Sequence, residues 1–141
     1  MIGRELRTFV WNKYNGHCAY CGKKIDMKQL RVDHINPIWR GHDIAKTHIY
    51  GHERGNDDVN NLNPSCTRCN NWKHTWTVEE FRREIKLQVE RLEKYQGGFR
   101  IAYDFNLISK NQNDVIFYFE KHNEVVSGYD VINKIYEWLN A

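Results

Sequence analysis

Asp33 and His34 stand side by side in VDHINP, residues 32–37, where Val32 and Ile35 suit a buried strand and Pro37 stops one. Neighbours on a strand point to opposite faces, so both side chains reach one ligand only where the strand twists or ends. Aspartate is a hard oxygen donor suited to magnesium or manganese, and neutral imidazole is the side chain best matched to take a proton near neutral pH. Together they resemble half of a metal-assisted hydrolytic site. Taken alone, the pair also fits a surface acid beside a histidine that satisfies a backbone carbonyl.

A second constellation is made of thiols. Cys18-x-x-Cys21 and Cys66-x-x-Cys69 have the two-residue spacer that lets both sulfurs of a pair reach one tetrahedral zinc at about 2.3 Å. Four sulfurs close the coordination shell and leave no position for water or substrate, so this zinc is structural. Buried free cysteines or a thioredoxin-like pair are the alternatives; two matched pairs in a chain without a βαβ pattern favour zinc. The gap between the pairs is much longer than the roughly 15–20 residues of a simple zinc ribbon. VDHINP lies in that insertion.

The elements that must position these residues follow from periodicity. Leu6, Phe9, Val10 and Tyr14 have helical spacing and Gly16 stops the helix. HCAYCGKK is a tight cysteine turn, and a strand is expected from about Leu30 to Ile35. Residues 39–56 show no period and read as a long loop carrying His42, His48 and His52, a length often functional in compact domains. NDDVNNLNPS reads as a turn with one helical turn, and a helix is expected to start at Cys66–Cys69. The clearest helix begins at Thr77, which forms a capping box with Glu80; Phe81, Ile85, Val89 and Leu92 make its apolar stripe, and Gly97 and Gly98 are expected to end it. A short helix in FRIAYDFNL, a strand in DVIFYFEK and a last helix after Ser127 complete the expectation.

Composition sets outer limits. The chain has 141 residues, 40% hydrophobic and 28% charged, with two prolines and nine glycines, which is the profile of a folded protein with one core. No apolar run approaches the ~20 residues of a membrane span, and the charged N-terminus has no signal-peptide core. The expected location is the cytoplasm, where reduced cysteines are more often metal ligands than disulfides. Residues 1–76 hold 12 Lys/Arg against 7 Asp/Glu, and residues 77–141 hold 9 against 11. The first part also holds six of the seven histidines, so its basic balance is a mild pointer to a phosphate-rich partner.

The order D-H at 33–34, N-L at 61–62 and C-x-x-C-N-x-x-K from Cys66 to Lys73 resembles the HNH nuclease family, in its branch with a four-cysteine zinc site. The resemblance covers about residues 18 to 74. It implies an α+β protein with a ββα-metal (His-Me finger) core: two strands and a helix around one catalytic divalent metal, with the zinc knuckle to one side. His34 would be the general base that activates water, Asp33 a metal ligand, and Asn61 the residue that orients the base or its loop. Asn70 takes the position of the motif's final histidine; an amide oxygen is a harder donor, which favours magnesium or manganese. His74, four residues on, is a second-rank ligand, and an exposed histidine at the helix C-terminus explains it equally well.

The activity implied is metal-dependent hydrolysis of DNA, double-stranded in the first instance, leaving a 5′-phosphate and a 3′-hydroxyl. Arg40, Arg68 and Lys73 are candidate phosphate contacts, each also explicable as ordinary surface charge. A phage, defence system or mobile element is the expected setting. The 37–56 loop exceeds the family's usual short link, which leaves the register of the middle asparagine open between Asn60 and Asn61; Leu62 favours Asn61. Residues 1–76 would form the nuclease domain, and residues 77–141 a mostly helical extension packed on it, containing a short strand and offering a surface for a homodimer. The rival reading is a non-catalytic, zinc-stapled DNA-binding or adaptor module with the same fold.

Overall fold

A computed structural model describes residues 2–38 and 55–122. The long loop with Arg40, His42, His48 and His52, and the helix expected after Ser127, lie outside the described residues.

Helix α1, Arg4–Asn12, buries Val10 and ends in a turn where Asn15 and Gly16 are left-handed, at φ 51° and 77°. Gly16 is required there, because a Cβ would stand 2.7 Å from the Trp11 ring. Lys13 reaches back from this turn to the carbonyls of Leu62 at 2.5 Å and Val59 at 3.2 Å, and its burial pushes the ammonium down to about 8. The cysteine turn follows, closed by Cys18 N–H donating to Lys23 O at 2.8 Å and by the left-handed Gly22 at φ 75°.

Strand β1, Arg31–His34, pairs antiparallel with β2, Leu62–Ser65, in the register Arg31↔Ser65, Val32↔Pro64, Asp33↔Asn63 and His34↔Leu62. A 3-10 turn, Val59–Asn61, leads into β2. Helix α2, Thr67–Lys73, starts at the second cysteine pair, with Cys66 Sγ accepting from Cys69 N–H at 3.4 Å as its cap. The β1–β2–α2 unit is therefore a ββα core, and the whole is α+β.

Three expectations downstream need correction. The helix from Thr77 keeps its capping box but is two helices, α3 (Val78–Lys86) and α4 (Gln88–Tyr95), divided at Leu87. Gly97 and Gly98 open helix α5 (Gly97–Asp104), because the break falls one residue earlier, at Gln96, whose backbone is extended. The strand expected in DVIFYFEK is an extended run entering a helical turn, α6, Tyr118–Lys121. Its backbone groups have other partners: Tyr118 N–H and Phe119 N–H donate to Tyr20 O and Ala19 O at 3.0 and 2.7 Å, and Phe117 N–H to Glu120 Oε1 at 2.9 Å. These three N–H groups are therefore not available to a sheet ladder.

The core gathers around the cysteine turn. Cys18, Tyr20, Ile25, Leu30, Cys66, Cys69, Phe81 and Phe117 form one buried cluster. Tyr20 packs edge-on against Phe81, Phe117 and Phe119, with centroids 5.6, 5.3 and 5.9 Å away. Aromatic rings from residues beyond 76 thus complete the core that holds the thiols. Among the described residues no helix is long and apolar enough to cross a membrane.

Candidate functional site

The four cysteines converge. Their sulfurs all lie within 4.8 Å of one another, and Cys21 and Cys66 are 3.8 Å apart. A tetrahedron of sulfurs about 2.3 Å from zinc has edges of roughly 3.8 Å, so the geometry fits that ion. The hydrogen bond from Cys69 pulls the Cys18 thiol down to about 4, while the same bond and then burial push Cys69 up. Thiols so close compete for charge, and a bound dication removes the conflict. The cluster is placed by the knuckle turn on one side and the start of α2 on the other.

Asp33 sits beside this cluster and is 4% exposed. Its Oδ2 accepts from the Tyr20 hydroxyl and lies 3.1 Å from Lys73 Nζ; its Oδ1 is 3.3 Å from the same nitrogen. Lys73 also donates to His34 O at 2.8 Å. Burial pushes the Asp33 carboxyl up, against the pull of Lys73, and pushes the Lys73 ammonium down, against the pull of Asp33. For both groups desolvation outweighs pairing, as is usual for buried ion pairs. Lys73 is fully buried, which corrects the expectation that it contacts phosphate: its charge is spent on Asp33 and its remaining donor on β1. Across the sheet from Asp33 lies Asn63, 1% exposed, whose amide finds no hydrogen-bond partner among the described residues.

His34 ends β1 with its side chain 13% exposed, and its Nε2 lies 2.7 Å from Asp57 Oδ1. Asn61 binds both ends of the long loop: its Oδ1 accepts from Asn36 N–H at 2.8 Å, and its Nδ2 donates to Asn36 O at 3.0 Å and Asn56 O at 2.8 Å. Gly55 N–H closes the same gate on Pro37 O at 2.9 Å, at a place where a Cβ would collide with Asn36 O. Of the two adjacent asparagines, it is Asn61 that makes these bonds.

Asn70 is half-buried on α2, one turn before Lys73 and so on the face that meets β1. Asp33 and Asn70 both offer oxygen, the donor that magnesium and manganese take. A carboxylate has about four acceptor positions, and Tyr20 and Lys73 occupy most of those on Asp33, so it fits such an ion through a single oxygen. His74 is exposed, its backbone leaves the helix at φ 46°, and its Nδ1 is 3.2 Å from Thr75 Oγ1. Arg68 is exposed on α2, on the wall of a groove of about 440 Å³ shared with Lys23, Gln29, Thr67 and Asn71. Arg40 lies outside the described residues. Sequence reasoning missed Tyr20 and Asp57: Tyr20 reads as a spacer between cysteines, and Asp57 as one of two acids in a turn.

The HNH endonuclease family model matches residues 18–75. The SPbeta prophage-derived putative HNH endonuclease YoqL of Bacillus subtilis (strain 168) is 33% identical over 81 residues, 55% of this chain and 33% of its own length. The chain thus spans about a third of the curated relative it matches. The crystal structure of the type II-C Cas9 enzyme from Actinomyces naeslundii aligns with 97% of this chain and 12% of that one, at TM-score 0.48 and 18% identity. Residues 18–75, which hold the β1–β2–α2 unit and the four-cysteine site, are the part of the chain that matches the HNH endonuclease family model.

Proposed function

We propose that this protein is a metal-dependent endonuclease that hydrolyses phosphodiester bonds in double-stranded DNA. The observation that carries the reading is His34, half-buried at the end of β1, adjacent to Asp33 and held through Nε2 by Asp57 at 2.7 Å. A carboxylate on Nε2 keeps the proton there and leaves Nδ1 as the acceptor that takes a proton from water. Asn61 fixes the loop ends that flank this imidazole. Asp33 and Asn70 would hold the divalent cation, with His74 as the further candidate, and the cysteine site would hold zinc. Magnesium or manganese bound there would neutralise charge on the scissile phosphate and the leaving 3′ oxygen. Water attack would leave a 5′-phosphate and a 3′-hydroxyl.

Arg68 supports DNA contact, and Arg40 is kept as a second candidate. Residues 1–76 are taken as the nuclease unit and 77–141 as its packed extension, in a phage or mobile-element setting. The exposed Tyr95, Ile101, Phe105 and Leu107 support self-association through the extension, which would turn a nicking enzyme into a double-strand cutter; sedimentation of a monomer at micromolar concentration would reject this.

One observation favours the non-catalytic DNA-binding or adaptor reading: Asp33 is already engaged by Lys73 and Tyr20, as a purely structural acid would be. Incubation of supercoiled plasmid with the zinc-loaded protein in magnesium, manganese or EDTA separates the two. Metal-dependent nicks that DNA ligase reseals support hydrolysis with the stated ends; DNA binding without cleavage in any metal supports the adaptor.

A further inference from the structure

Asp33 is held by two donors, and each comes from a different half of the cysteine site. Tyr20 lies between Cys18 and Cys21, and its hydroxyl donates to Asp33 Oδ2. Lys73 lies four residues after Cys69 on α2 and reaches the same carboxylate at 3.1 Å. A metal joining the two cysteine pairs therefore fixes the spacing between the two groups that hold Asp33.

The Tyr20 arm is rigid. Its side chain is 3% exposed, and its ring is enclosed by Phe81, Phe117 and Phe119. The backbone is pinned on both sides, by Ala19 N–H donating to Pro64 O at 2.8 Å and by Tyr118 N–H donating to Tyr20 O at 3.0 Å. A ring packed in this way has no need of a hydroxyl for burial, since phenylalanine would fill the same space. The hydroxyl instead points at the acid, and buried carboxylates that hold metals depend on such partners for their orientation.

We propose that Tyr20 is a positioning residue that transmits occupancy of the cysteine site to Asp33, so that zinc loading sets the affinity of the separate divalent-cation site. This rests on the reading of Asp33 as a ligand of that cation. Tyr20 does not touch substrate; by donating to Oδ2 it fixes the orientation of the carboxylate. Zinc is then more than a staple, because the two cysteine pairs it would join carry the two donors that hold Asp33.

The test is manganese binding, read from the electron paramagnetic resonance signal of free Mn²⁺ titrated with the zinc-loaded full chain. Wild type, Tyr20→Phe and Asp33→Asn are compared, with zinc content and melting temperature recorded for each. Tyr20→Phe is expected to keep one zinc and to bind manganese about 10-fold or more weakly, the usual range for losing an outer partner of a ligand. Manganese bound by Tyr20→Phe as tightly as by wild type would overturn the proposal while leaving Asp33 as a ligand. Wild type that binds no manganese, or Asp33→Asn that binds it unchanged, would overturn the ligand reading and the proposal with it. Should Tyr20→Phe lose zinc, wild type loaded with cadmium, whose thiolate bonds are longer, gives the second reading: weaker manganese binding than in the zinc form is expected, and equal binding overturns the linkage.

Discussion

Lys73 Nζ lies 3.1 Å from Asp33 Oδ2, with the two side chains 0% and 4% exposed. A charge pair so placed ties the helix that follows the second cysteine pair to the strand that carries His34. Removing one partner leaves the other charged and buried, which typically costs about 3–5 kcal/mol. Lys73→Met should therefore lower stability by that order in urea unfolding. Its DNA affinity, measured below the melting temperature, should stay near wild type, because the ammonium does not face solvent.

The cysteine site supports the core directly, since Cys18, Cys66 and Cys69 belong to the same buried cluster as Tyr20, Phe81 and Phe117. Cys66→Ser, or a chelator strong enough to remove zinc, should give a large drop in melting temperature and loss of fixed aromatic packing in near-ultraviolet circular dichroism. Elemental analysis of the purified wild type should find one zinc per chain. Retention of the wild-type melting curve after complete zinc removal would contradict a structural role.

Helix α6 is docked by Arg82, which reaches Glu120 Oε2 at 2.6 Å and stacks on the Phe117 ring at 4.9 Å. The hydrogen bond from Arg82 holds the Glu120 carboxyl below its ordinary 4.5. A carboxyl depressed in the folded state contributes stability that is present above the ordinary value and lost as pH falls through the folded one. Both side chains are partly exposed, so the contribution is about 1 kcal/mol or less. The stability difference between wild type and Glu120→Gln should thus be small at neutral pH and vanish toward pH values well below 4.5. Phe117→Ala, which opens the core itself, should cost about 3–5 kcal/mol at any pH.

Several of these relationships were legible before the structure. The two C-x-x-C pairs, the D-H step and the asparagine before Leu62 announce themselves by residue type and spacing, because ligands and bases draw on a short list of side chains. Lys73 reads as a surface residue because a lysine is exposed by default; its position four residues after Cys69, on the same buried helix face, is the signal to the contrary. β2 was hidden by Asn63 and Pro64, poor strand formers that become a strand only by pairing with β1. The alternation of Val115, Phe117 and Phe119 imitated a strand, whereas the backbone there is held by the knuckle carbonyls. Asp57 carried no sequence signal, since its role depends on a contact spanning 23 residues.

Asp57 acts through His34, so its loss should be milder than loss of the base. Asp57→Asn keeps a hydrogen-bond acceptor on Nε2 but removes its charge. It should lower kcat with little change in KM, and by less than His34→Ala does.

The most direct test of the account is single-turnover cleavage of plasmid DNA by wild type and His34→Ala, both verified to hold zinc and to melt alike. Loss of a general base typically costs about 10²–10⁴-fold, and a fall of that order in the magnesium-dependent cleavage rate, with DNA binding retained, is the predicted result. Cleavage by His34→Ala at the wild-type rate would contradict the central claim, that the imidazole at the end of β1 activates the attacking water.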